Sequence, residues 1–175
     1  MSLQDLRNQL GDYAKDIKIN LGNVLSEDGA PGLSKTQIMG IALASAYATK
    51  HPEVIAAITA ETASTLNDAD IHAVKAATTL MAMNNIYYRF LHLSSEKAFT
   101  KMPANLRMQV IGNPGVAKVD FELYSLAISA INGCGMCMDA HVHTVHKEGI
   151  SHEGIQSSIR IAAVINAAAQ ALVIG

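Results

Sequence analysis

The sequence predicts an all-α fold. Apolar residues recur at three- and four-residue intervals almost throughout, and the strict alternation of a half-buried strand is nearly absent. Only four prolines interrupt 175 residues of an alanine-rich chain. Half of the residues are hydrophobic and 16% are charged, which supplies a sizeable core and argues against disorder. The length suits one compact domain over residues 1–175.

The elements follow in order. Ser2 with Asp5 reads as a helix cap and an acidic first turn; Gly11 ends that short helix, and Asp12 is placed to cap a second running towards Leu25. Glu27 to Gly32 is a loop by composition. Ser34 and Gln37 form a capping-box pair, each side chain serving a free backbone donor. The helix they open turns Ile38, Ile41, Leu43 and Ala46 inward and stops before Pro52. Pro52 suits a first helical position, where its missing N–H is no loss, and its helix runs to about Ser64. Asn67 then caps a long helix through Tyr88. Irregular chain is expected from Ser94 to Pro103 and around Asn113-Pro114-Gly115. Three further helices are expected at about 118–132, 134–147 and 151–173, with Gly149 closing the middle one and Ser151 capping the last.

A faint internal repeat has an offset of 84 residues. It lays Ala44-Ser45-Ala46 over Ile128-Ser129-Ala130, Leu66-Asn67 over Ile150-Ser151, and Ile71 over Ile155. Two related helical halves, about 34–93 and 118–173, are the expected organisation. The cysteines occur in the second half only, opposite Lys50 and Glu53.

Composition narrows the function classes. Thirteen Lys plus Arg stand against fifteen Asp plus Glu, a net charge of −2, so no basic footprint for nucleic acid is present. With five Tyr, three Phe and no Trp, platforms for stacking bases are lacking as well. No basic start or apolar run follows Met1, so no secretory signal is expected. The most apolar stretch, Ile161 to Ile174, is shorter than the roughly 20 residues of a bilayer span and carries Asn166 and Gln170. It reads as a core or subunit-contact helix, with no membrane role. Two cysteines so close together, without an export signal, point to redox or metal chemistry in a reducing, cytoplasmic setting.

The chemistry gathers in the segment from Phe121 to His141. At about 100° per residue, Cys134 and Cys137 lie about 60° apart around a helix and His141 falls between them. Gly133 favours a helix start there, which sets Cys134 near the positive end of the dipole, where a thiolate is stabilised. His141 is placed to take or return a proton. Three readings follow: two buried cysteines acting as small hydrophobes, a metal site, and a redox-active dithiol. His143 and His146 point away from the thiols, so a metal would hold only Cys134, Cys137 and His141 of this helix and need another ligand. The redox-active dithiol is the favoured reading. Thioredoxin would need a strand before the motif, and none is expected. Met81, Met83, Met136 and Met138 read as core or pocket filler, and His51, His72, His92 and His152 have no partners in sequence.

The run from Asn113-Pro114-Gly115 through Phe121-Glu122-Leu123 and Ser129-Ala130-Ile131-Asn132-Gly133-Cys134 to Cys137 and His141 resembles the AhpD (alkyl hydroperoxidase D) family. So do Tyr13-Ala14-Lys15-Asp16-Ile17-Lys18, Met83-Asn84-Asn85 and Tyr88-Arg89, so the resemblance spans nearly the whole chain. That family sits in the wider carboxymuconolactone decarboxylase-like group, whose helical fold is a duplicated unit. The resemblance implies a peroxidase without haem or metal that reduces alkyl hydroperoxides and hydrogen peroxide, or a partner peroxiredoxin (AhpC), through a Cys134–Cys137 dithiol–disulfide cycle. It implies that Cys137 becomes the sulfenic acid, and that Cys134 supplies a proton, closes the disulfide and forms any mixed disulfide with the peroxiredoxin. Glu122 and His141 would complete a proton relay. The resemblance further implies that no cofactor is bound, that electrons come from dihydrolipoamide on a lipoylated acyltransferase subunit recharged by lipoamide dehydrogenase, and that the protein is a homotrimer. The residues alone leave Glu122 open to a plainer role, as a first-turn glutamate stabilising its helix start. One departure stands out: the family carries Ser-His between the cysteines, whereas this chain has Gly135-Met136. A general protein disulfide reductase, and a non-enzymatic redox-sensing or metal-binding module, are the alternatives.

Overall fold

Four helix starts in this chain are set by short polar side chains, Ser2, Ser34, Asn67 and Ser151, that serve free backbone N–H groups, each cap worth about 1 kcal/mol. The computed structural model describes residues 1–175 and is all-helical, with no strand. Its α-helices are α1 (Leu3–Gln9), α2 (Lys15–Asn23), α3 (Lys35–Thr49), α4 (Pro52–Thr62), α5 (Asp68–Leu93), α6 (Lys118–Ile131), α7 (Gly135–Lys147) and α8 (His152–Ile174). Reciprocal capping boxes open α1 (Ser2 with Asp5), α3 (Ser34 with Gln37) and α5 (Asn67 with Asp70), and Ser151 caps α8. Pro52 occupies the first turn of α4, as its fixed φ predicts.

Several boundaries differ from expectation. Asp12 does not cap α2: it opens a 3-10 turn, Asp12–Ala14, that runs directly into the helix, and no side chain caps either one. The first helix ends at Gln9 with Leu10 as its C-cap, and Gly11 is the residue that precedes the 3-10 turn. The long helix α5 continues past Tyr88 to Leu93, since Leu91 is buried and no glycine or proline stops the chain before Ser94. The stretch expected to be irregular contains a 3-10 turn at Lys97–Lys101, and another at Gln109–Gly112 precedes Asn113.

The centre of the molecule is the pair α3 and α6. Ile38 to Ala46 of α3 and Phe121 to Ser129 of α6 are buried without interruption, the pattern of helices surrounded on every side. They cross closely at Gly40, where a β-carbon would lie 2.3 Å from Tyr124 Cε1, so only glycine lets the backbone approach that ring. Gln37 Nε2 donates to Asp120 Oδ1 at 2.8 Å, tying the two helix starts together. Around this pair pack α4, α5, α7 and α8. By length and composition α8 could cross a membrane; here it buries Ile155, Ile161, Ile165 and Ala168 in the core against α3 and α6.

The order of α3, α4 and α5 is matched by that of α6, α7 and α8: Lys35, Pro52 and Asp68 begin the first set, Lys118, Gly135 and His152 the second. At the corner after the first helix of each set a residue adopts the left-handed conformation, Lys50 (φ 61°) in one and Gly133 (φ 69°) in the other. The N-caps that follow are His51 and Cys134, so the corners align one residue away from the register read in sequence, and Cys134 stands against His51 rather than Lys50.

Candidate active site

Helix α6 ends at Ile131, Asn132 caps it, and Gly133 turns the chain into α7. Cys134 is therefore the N-cap of α7 rather than its first helical residue. Its Sγ accepts from the backbone N–H of Cys137 at 3.3 Å, a place a serine oxygen takes at other helix starts. A disulfide joins Cys134 to Cys137. Cys134 is fully buried; Cys137 is 6% exposed and lines a pocket, whereas Cys134 does not.

A network on the far side of α5 braces the corner. Asn85 Nδ2 donates to Ser129 Oγ at 2.8 Å, Asn132 Nδ2 donates to Asn85 Oδ1 at 3.0 Å, and Arg89 Nη1 donates to the Asn132 carbonyl at 2.6 Å. Every bond of this set ends on the last turn of α6 or its cap, so the position of Cys134 follows from α5.

Glu122 lies one turn into α6, not free at the helix start, and is 6% exposed. Burying a carboxylate costs several kcal/mol unless a partner faces it. The partner is His141 of α7, whose Nδ1 lies 2.6 Å from Glu122 Oε2. An ionised carboxylate only accepts, so Nδ1 carries the hydrogen, and Nε2, 3.3 Å from Met81 Sδ, is the nitrogen left for proton exchange. His141 sits one helical turn after Cys137 on the same face. The reversal at Gly133 folds α7 back along α6, and this closes the distance that a continuous helix would have kept.

The pocket has a volume of about 340 Å³. One wall is α5 with Met81, Asn84 and Tyr88; the opposite wall is α7 with Met136, Cys137, Ala140 and His141; Met108 and Ile111 complete it. Met81 and Met136 line the pocket as their filler role predicts, whereas Asn84, Tyr88, Met108 and Ile111 are pocket residues to which the sequence alone assigns no role at this site. The spacing of Met81, Asn84 and Tyr88 on one helix face was the available signal. Met136 is 39% exposed and sits beside the thiols. His143 and His146 do not join the site: both are exposed, His146 Nδ1 meets the Ile150 carbonyl at 3.1 Å, and its ring stacks on His152.

Such a site suits two-electron thiol chemistry: a dithiol–disulfide pair, an imidazole held by a carboxylate, and a largely apolar recess reaching one of the sulfurs. Comparison with known proteins agrees with this architecture. Residues 97–174, which contain the whole thiol corner, match the carboxymuconolactone decarboxylase family. Proteins named alkyl hydroperoxide reductase AhpD from Coxiella burnetii and Rhodospirillum centenum are each 54% identical over 172 residues, covering 98% of this chain and 97% and 91% of theirs. The protein of that name from Hyphomonas neptunium is 53% identical over the same length, with 94% of its own chain covered. With near-complete coverage at this identity, the chain belongs to the AhpD family.

Proposed function

We propose that this protein is a thiol peroxidase that reduces alkyl hydroperoxides and hydrogen peroxide with Cys134 and Cys137. The observation that carries the reading is the Glu122–His141 pair, 2.6 Å apart, on the same pocket as Cys137. In the reduced protein His141 Nε2 takes the Cys137 proton. The thiolate attacks the terminal peroxide oxygen, the O–O bond breaks, and Cys137 becomes a sulfenic acid. The departing alkoxide leaves as the alcohol with the proton His141 returns. Cys134 then attacks the Cys137 sulfur; its proton and the hydroxyl leave as water and the disulfide forms.

For the return step we propose a dihydrolipoyl group on an acyltransferase subunit, recharged by lipoamide dehydrogenase. An incoming thiolate reaches Cys137, which lines the pocket, rather than the fully buried Cys134. The departing Cys134 thiolate is stabilised by the Cys137 N–H and the start of α7. In disulfide reduction Cys134, at the positive end of the helix dipole, is thus the leaving group, and Cys137, open to the pocket, is the site of attack. For the reduced protein we propose that Cys134 forms the mixed disulfide with a peroxiredoxin of the AhpC kind, as the resemblance implies; there this protein's own thiolate is the attacking group, a different step from reduction of its disulfide.

We place the protein in the cytoplasm, where a reducible dithiol is maintained, and assign it a trimeric state. Ile86, Phe90, Leu93 and Met102, at the end of α5 and just beyond, are each exposed apolar side chains of the kind that self-association would cover. The test of function is peroxide consumption coupled to NADH oxidation through lipoamide and lipoamide dehydrogenase. Turnover in the wild type that disappears in Cys134→Ser and Cys137→Ser is the expected result. A wild type that cycles its disulfide without consuming peroxide would replace the reading with a disulfide reductase.

A further inference from the structure

Two neighbouring asparagines on α5 have opposite fates. Asn85 is satisfied at both ends of its carboxamide, by Ser129 and Asn132. Asn84 is 5% exposed and lines the thiol pocket with Cys137 and His141, and its Oδ1 is buried without a hydrogen-bond partner. A buried carbonyl oxygen left unpaired costs stability, and native proteins rarely keep one without a use. The nearby pocket walls give it no partner: Met81 and Met136 are thioethers, the Tyr88 hydroxyl meets Met108 Sδ at 4.0 Å, and the Nδ1 hydrogen of His141 goes to Glu122.

We propose that Asn84 is the polar anchor for the hydroperoxide. A hydroperoxide carries both a donor, its terminal O–H, and acceptor oxygens, so one carboxamide can take the O–H on Oδ1 and donate from Nδ2 to the O–O group. Held in this way, the terminal oxygen faces Cys137, while the organic group lies against the thioethers. Attack then proceeds as above: the S–O bond forms as O–O breaks, and the alkoxide is protonated from His141. Asn84 touches substrate but neither gives nor keeps a proton. The inference rests on the peroxidase reading and adds to it the residue that orients the substrate.

The test compares reduced wild type, Asn84→Leu and Asn84→Ser by stopped-flow oxidation with cumene hydroperoxide. Beside it run an ultraviolet titration of the thiolate and the rate of disulfide reduction by dihydrolipoamide. Asn84→Leu is expected to slow oxidation about tenfold, the value of one lost hydrogen bond to the reacting group. Its thiolate titration and disulfide reduction are expected to match wild type within about twofold, since neither needs peroxide bound. Asn84→Ser keeps a hydroxyl and falls between the two, which supports the anchor even if the leucine variant folds poorly. Equal oxidation rates in all three proteins overturn the role of Asn84 alone. An equal loss in the thiolate titration overturns it in favour of a structural role. A wild type whose thiols titrate and reduce normally but ignore peroxide overturns the peroxidase reading and the anchor together.

Discussion

Between α3 and α4 the chain passes through Lys50 at φ 61° into His51 and Pro52; between α6 and α7 it passes through Gly133 at φ 69° into Cys134 and Gly135. Measured from the N-caps, the second set holds Glu122, Cys137 and His141 where the first holds Met39, Val54 and Ile58. All three of the latter are buried core residues. One corner is therefore packing and the other is chemistry on the same helical frame. The frame does not require cysteine, and the cysteines by themselves do not make the site. What distinguishes the second corner is a buried carboxylate delivered from the preceding helix, an imidazole one turn past the pair, and a gap left open opposite α5.

The comparison can be broken most strongly at its centre. Cys137→Val, which copies the first corner, is expected to reduce peroxide turnover to background while the thermal midpoint stays within several degrees, since the disulfide it removes closes only a short loop and valine adds one carbon. Coupled NADH oxidation and a melting curve check both halves of this expectation. Next in size is Glu122→Gln, which keeps shape and removes the charge that orients His141. Turnover should drop about 100-fold, in the range of a lost acid–base contribution, and the pH profile should change with it; a matching Met39→Leu change should leave turnover alone.

The corners themselves offer a paired stability test. Gly133→Ala should cost about 1–2 kcal/mol, the usual penalty for a left-handed side chain, because a β-carbon there meets nothing within 4 Å and only conformation is at stake. Lys50→Gly should do the reverse and gain up to about 1 kcal/mol. Denaturant midpoints for the two variants read the same backbone feature from opposite sides; equal signs would show that the corners are not alike.

The smallest effect is expected where α3 and α6 cross. Burial, with Asp120 and Asp70 adding to it, raises the Tyr124 phenol well above its ordinary value of 10.0, and its hydroxyl has no partner. A raised folded pKa leaves stability whole below the unfolded value, near 10, and removes it as pH rises further, by up to about 1.4 kcal/mol per pH unit. Tyr124→Phe should therefore be near neutral at pH 7 and should flatten the fall of the urea midpoint in alkali.

Helices were legible because their signals are local. Ser34 with Gln37, Asn67, Pro52 and Ser151 each sit where a backbone donor needs serving or can be spared, and all four mark the helix starts observed. Where the cue was weaker the reading slipped: Asp12 looked like a cap and began a 3-10 turn, and nothing local told Tyr88 from Leu93 as the end of α5. The thiol pair and its histidine were legible for the same reason, since Cys137 and His141 share a helix face by pitch alone and Cys134 caps that helix three residues before Cys137. Glu122 was named through resemblance, and its contact with His141 could not be read from spacing.

The sequence by itself determined that the chain is helical, where most helices begin, and that Cys137 and His141 share a face of the helix that Cys134 opens, because these follow from interactions within a few residues. Only the tertiary structure decided the rest. It folds α7 back along α6 so that Glu122 meets His141, buries Cys134 while Cys137 lines the pocket, and sets Asn84 without a partner opposite the thiols. Those outcomes depend on how α5, α6 and α7 pack, and packing brings together side chains whose separation along the chain carries no record of their distance in space.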